Sequence, residues 1–181
     1  PRSEPARLRI PVIRVDAAVH GVDRNRDGYP KTPPGTEKEK LVGWYEEGPS
    51  PGERGNALLG GMSGGDQSGA VFRLLDEVRQ GDQVLIERDD GATAVFTVDA
   101  VDVYAKDDLP GSKVYVSTSR PELRLIASGG PDEKDKGKKN KKDKKKDKKN
   151  EKGEDKSDKG DDKDKKRKDI VVVSAHLTTV R

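Results

Sequence analysis

The sequence predicts an all-β domain, a barrel or a sandwich with one helical insertion. Three observations carry that expectation. Roughly seven or eight β-prone segments recur along the chain, separated by turns rich in Gly, Pro, Asn and Asp. Only one segment, 70–80, places its apolar residues at helical spacing. The run 131–169 is almost entirely Lys, Asp, Glu, Gly and Asn and has nothing with which to build a core. Removing it leaves a body of about 142 residues in two pieces, 8–130 plus 170–181 after a short polar linker remnant at 1–7, which is one domain's worth of chain.

The elements follow from local chemistry. Leu8, Ile10 and Val12 alternate with Arg9, Pro11 and Ile13, which predicts an edge-like strand because Pro11 cannot donate a ladder hydrogen bond. Val15–Val19 continues as a second strand. Asp23–Tyr29 (Asp-Arg-Asn-Arg-Asp-Gly-Tyr) is a turn, and it lacks the spacing and the terminal Glu of a calcium loop. A Pro-rich charged loop follows, then Val42-Gly43-Trp44-Tyr45, whose tryptophan reads as a packing anchor. Asn56-Ala57-Leu58-Leu59 is a short buried strand running into Gly60-Gly61-Met62-Ser63-Gly64-Gly65. That cluster lacks the Lys-Ser/Thr ending of a phosphate-binding loop. In Ala70–Gln80, Val71, Leu74, Leu75 and Val78 share one helical face and Gly81 supplies a stop. Val84–Ile86 and Thr93–Tyr104 form a hairpin around Asp90-Gly91. A short extended piece, Val114–Val116, precedes the apolar strand Leu123–Ala127, and Ile170–Leu177 is a strongly β-prone last strand.

Charge divides the chain the same way. The whole carries 37 Lys+Arg against 34 Asp+Glu, a formal +3. The run 131–169 holds 19 basic and 13 acidic residues, a net of about +6, so the body is slightly acidic at about −3. Such a run is expected to be a disordered insertion between the last two strands. With no cysteine, disulfides, a thiol nucleophile and a thiolate metal site are excluded. No apolar run reaches the roughly 18 residues of a membrane span. Because the sequence starts at Pro1 rather than Met, an anchor is expected to be upstream of Pro1 or removed.

One residue stands out as a seat for chemistry. The strand Leu123–Ala127 ends in Ser128-Gly129-Gly130, and an apolar strand halted by two glycines presents the residue at its tip, Ser128, to a ligand.

The order of these pieces resembles the sortases, specifically class F sortases of Gram-positive actinobacteria. The resemblance is carried by Leu8-Arg9-Ile10-Pro11, Val42-Gly43-Trp44-Tyr45 with Gly48-Pro49-Ser50-Pro51-Gly52, and Ala57-Leu58-Leu59-Gly60-Gly61. Gly69–Leu74, Arg120–Ile126 and Asp169–Val173 complete it. It implies an eight-stranded β-barrel with one or two short helices, on the extracellular face of the membrane or in the cell wall. It also implies transfer of a sorting-signal-bearing protein to an amine through a thioester, with no cofactor. The family's Cys position falls on Ser128 and its preceding Thr on Ala127. Its His position falls on Gly61, with Met62 next to it, and its Arg position on Lys168, with Arg167 adjacent.

These replacements bear directly on activity. A serine hydroxyl needs an adjacent base, which a thiol near pKa 8.5 needs far less. Neither Gly61 nor Met62 can supply one, and an extended strand carries His176 roughly 25 Å from the Lys168 position. The expectation is a degenerate sortase that binds a sorting-signal-like peptide or secreted protein without cleaving it. An alternative is a hydrolase or transpeptidase in which Lys168 activates Ser128. A further alternative assigns function to residues 132–168 as a binder of anionic cell-wall polymer. No nucleic-acid partner is expected, because the basic run carries no interleaved aromatics.

Overall fold

A computed structural model describes residues 2–25, 28–35, 37–64, 69–105, 118–128 and 169–181. Eight strands close into a barrel: β1 (Pro5–Ile10), β2 (Val15–Val22), β3 (Val42–Tyr45), β4 (Gly55–Met62), β5 (Gln83–Arg88), β6 (Thr93–Ala105), β7 (Pro121–Ser128) and β8 (Asp169–Val180). Around the barrel the order is β1-β2-β3-β4-β7-β8-β6-β5, with β5 returning to β1. Two pairings are parallel, β2 with β3 and β4 with β7. The others are antiparallel.

Period-two alternation sorts each strand into an inner and an outer row. Leu8 and Ile10, Val15, Ala17 and Val19, Val42 and Trp44, Ala57 and Leu59, and Leu123, Leu125 and Ala127 all join one buried core. Trp44 is 1% exposed and its indole N–H donates to the Pro49 carbonyl at 3.1 Å, so the anchor has both its apolar body and its polar edge satisfied. Arg2 stacks over the same ring at 5.2 Å.

Two expectations about local structure are corrected. The first strand is not an edge. It is paired on both sides, and it stops at Ile10 because Pro11 opens a short 3-10 turn (Pro11–Ile13) that leaves Val12 exposed. The helix expected at Ala70–Gln80 is a series of turns with one 3-10 turn, Leu75–Glu77. Its hydrogen bonds run to the third residue back: Arg73 N–H to Ala70, Leu75 to Phe72, Glu77 to Leu74 and Val78 to Leu75. The side chains it buries most deeply, Phe72, Leu75 and Val78, are three apart, the spacing that eclipses in a 3-10 geometry and drifts off one face of an α-helix. This segment crosses from β4 to β5 and packs into the core. The hairpin at Asp90-Gly91 forms as expected, with Gly91 at φ +82°. Strand β8 starts at Asp169, and the piece 114–116 lies outside the described residues.

Candidate functional site

Ser128 is the last residue of β7 and is half-buried. Inner positions on β7 are Leu123, Leu125 and Ala127, so Glu122, Arg124, Ile126 and Ser128 lie on the outer face. Parallel pairing sets Met62 across from Ser128 and Gly61 across from Ala127. The ladder extends one step further, with the Ser63 N–H donating to the Ser128 carbonyl at 2.9 Å.

Register decides what each of those neighbours offers. Met62 shares Ser128's outer row and is 4% exposed. Gly61 belongs to the inner row. A Cβ there would meet Phe72 Cδ2 and Val71 Cγ1, both at 2.7 Å, so the interior has no room for a side chain at this position. The glycine is therefore explained by the close approach of the 70–78 segment to β4. Lys168 and Arg167 lie outside the described residues; the chain leaves β7 at Ser128 and re-enters at Asp169 on the same rim, since Ala127 pairs with Val171.

Below Ser128 the outer face is apolar and covered. Leu58, Ile126, Ile170 and Val172 form a buried cluster against which Tyr29, Tyr45 and Tyr104 pack. Pro30 sits so close to Gly60 that a Cβ there would come within 3.3 Å of it. Arg24 lies over the Tyr45 ring at 4.7 Å, and burial pushes the Tyr45 phenol up from its ordinary value. Sequence periodicity did not single out this aromatic cover, because its members come from three separate segments and meet only in the fold.

Neither histidine approaches Ser128. His176 pairs with Glu122, six residues back along β7, which puts it roughly 20 Å away. There it is engaged with Asp99, Nδ1 to Oδ1 at 2.7 Å. Asp99 is the extra residue at a register shift between β6 and β8, and such a bulge turns its side chain toward β8. His20 is exposed on β2. Successive pairings level it with Ile126 but three strands over, roughly 14 Å off. The nearest cation on β7 is Arg124, four residues before Ser128. Burial draws its pKa below the ordinary value, Glu122 at 3.9 Å opposes that, and Arg124 stays charged at neutral pH. Among the described residues no side chain hydrogen-bonds the Ser128 hydroxyl, and no three His, Asp or Glu side chains converge on a metal position. In the turn at Asp23–Tyr29, the Asn25 side-chain oxygen accepts from Tyr29 N–H and the Asp23 carboxylate from Arg24 N–H, so these acceptors serve the turn itself.

A hydroxyl in this setting has a backbone, an apolar floor and a thioether beside it. Among the described residues, none beside the serine can take its proton.

Comparison with known proteins agrees with the architecture. The sortase domain matches residues 8–141. Similar solved structures include sortase A from Corynebacterium diphtheriae, with TM-score 0.59 and 16% identity over 99% of this chain and 62% of that one. The pilus-related sortase C of Group B Streptococcus gives TM-score 0.59 and 14% identity over 98% and 68%. Listeria monocytogenes sortase A gives 0.57 and 13% over 99% and 90%. At these identities the likeness is one of fold, and the chain spans less than two thirds of the first of these structures. No curated protein matches. With the domain match covering most of the chain, the chain belongs to the sortase family.

Proposed function

We propose that the chain is a catalytically degenerate sortase. It holds a sorting-signal-like peptide or secreted protein along the outer face of β4 and β7 without cleaving it. The reading includes a class F origin and a place on the extracellular face of the membrane or in the cell wall. The observation that carries it is the register at the nucleophile position. Met62, not Gly61, shares a face with Ser128, and this register supports Met62, beside the sequence's placement at Gly61, as the residue standing where the base would face the serine. A thioether cannot accept the serine proton, and removing a nucleophile–base pair that acts as a unit lowers rate by several orders of magnitude. Leu58, Ile126 and Val172 are buried beneath Tyr29, Tyr45 and Tyr104, so a peptide on this face would rest on the tyrosine cover rather than on that cluster.

The test compares the wild-type chain, Ser128→Ala and the double variant Met62→His/Ser128→Cys against sorting-motif peptides with an amine acceptor. Wild type and Ser128→Ala are expected to bind peptide equally and to turn none over. The double variant is expected to form a thioester adduct detectable by mass spectrometry. Turnover by wild type that Ser128→Ala abolishes, or labelling of Ser128 by a fluorophosphonate, refutes degeneracy and favours a serine hydrolase activated by Lys168.

A further inference from the structure

The barrel is closed, yet among the described residues part of one strand edge is unpaired. β2 pairs with β1 from Val15 through Ala18, but with β3 only from Val19 onward. The Glu46 N–H donates to the Val22 carbonyl at 3.1 Å, so the even-numbered residues of β2 turn their backbone groups toward the β3 side. Backbone direction alternates along a strand, so Asp16 and Ala18 face that side too; the Val19–Val42 pairing takes up the Ala18 C=O, and the Asp16 N–H and C=O and the Ala18 N–H are left with no pairing among the described strands.

This edge borders a cleft of about 520 Å³ whose far wall is the 69–77 segment. The lining mixes apolar surface, Val12 and Leu74 among it, with three cations, Arg14, Lys40 and Arg73. Two carboxylates are present. Asp16 is drawn back toward β1 by Arg7 and Arg9, and Glu77 stands on the far wall. By count the lining carries three cations against two carboxylates, and one of the cations, Lys40, is paired with Glu37 at 3.3 Å.

Arg14 adds a second, independent observation. Among the described residues it is the one non-glycine with positive φ, at φ 57° and ψ 33°, held by its N–H bond to Pro11 at 3.1 Å. Glycine takes this conformation freely and arginine does not, so the chain carries strain that sets a guanidinium at the cleft.

We propose that the Asp16–Ala18 edge of β2 is a docking site for an extended acidic segment of a partner protein. The segment adds as a short strand, its aliphatic side chains on Val12 and Leu74 and its carboxylates on Arg14 and Arg73. The site is separate from Ser128. It sits at the same end of the barrel, because β2 starts at the rim where β4 and β7 finish.

The experiment uses the 181-residue chain and a fluorescein-labelled octapeptide of alternating Val and Glu, read by anisotropy. Saturable binding is expected, at least tenfold tighter than for the same peptide with Lys in place of Glu. Ala18→Pro removes the outward N–H without touching a β1 bond; at unchanged melting temperature it is expected to weaken binding tenfold or more. Arg14→Gly relieves the strain and is expected to weaken binding several-fold. On the wild-type chain, the amides of Asp16 and Ala18 are expected to exchange quickly alone and slowly with peptide. The proposal is overturned if those amides are protected without peptide or unaffected by it. It is also overturned if Ala18→Pro binds normally, if the peptide does not bind, or if the cleft instead binds phosphatidylglycerol vesicles through Arg14.

Discussion

Replacing Gly61 by alanine tests the geometry on which the site assignment turns. A Cβ at position 61 lies 2.7 Å from Phe72 Cδ2 and Val71 Cγ1 and 2.9 Å from Phe72 Cε2. Carbon atoms in a packed core sit about 3.5–4.0 Å apart, so the 70–78 segment must retreat by close to 1 Å. Phe72 is 1% exposed and leaves no slack. Overpacking of this kind costs about 1–3 kcal/mol. The lower chain entropy of alanine offsets about 0.4–1 kcal/mol, because Gly61 lies in ordinary strand geometry that alanine also adopts. A net loss of about 1–2 kcal/mol remains, and for a body of this size it lowers the melting temperature by roughly 3–8 °C. Urea unfolding and differential scanning calorimetry both read it. Met62→Leu, a volume-conserving change on the outer row, should cost less than about 1.5 kcal/mol. If Gly61→Ala is as stable as wild type, position 61 has room for a side chain, and the assignment of the base position to Met62 loses its physical ground.

Other outcomes follow from the same structure. The Ser50 backbone N–H, with the Ser50 hydroxyl and Arg2, holds the Glu53 carboxyl below its ordinary value of 4.5. The folded-state pKa is depressed, so the stabilisation is complete above pH 4.5 and is lost as the pH falls through the folded value. Glu53→Gln is expected to flatten the acid limb of a stability–pH curve; an unchanged limb counts against it. Trp44→Phe deletes the bond to Pro49 and part of a fully buried ring, at about 2–3 kcal/mol by urea titration. Deleting residues 132–166 shortens a connection between two strands already paired from Ala127–Val171 onward, and the melting temperature should stay within about 2 °C; a large drop would show that the barrel depends on the segment.

Strand positions were legible in the sequence because a half-buried strand writes its two faces into alternate residues. Leu123, Leu125 and Ala127, or Phe96 and Val98, announce their inner row without any partner. The Asp90-Gly91 turn was equally a local matter, fixed by glycine's backbone freedom. The 70–80 segment reads as a helix because its apolar residues satisfy both a 3.6 and a 3.0 period, and only docking into the barrel selects Phe72, Leu75 and Val78. Pairing was beyond reach of pattern. Whether position 61 or 62 looks at Ser128 depends on the register of β4 against β7, and a shift of one residue exchanges the two faces. The tyrosine cover over Ile126, the Asp99–His176 contact and the edge of β2 left unpaired among the described residues have the same cause: each joins segments far apart in the chain, and closure of the barrel is what brings them together.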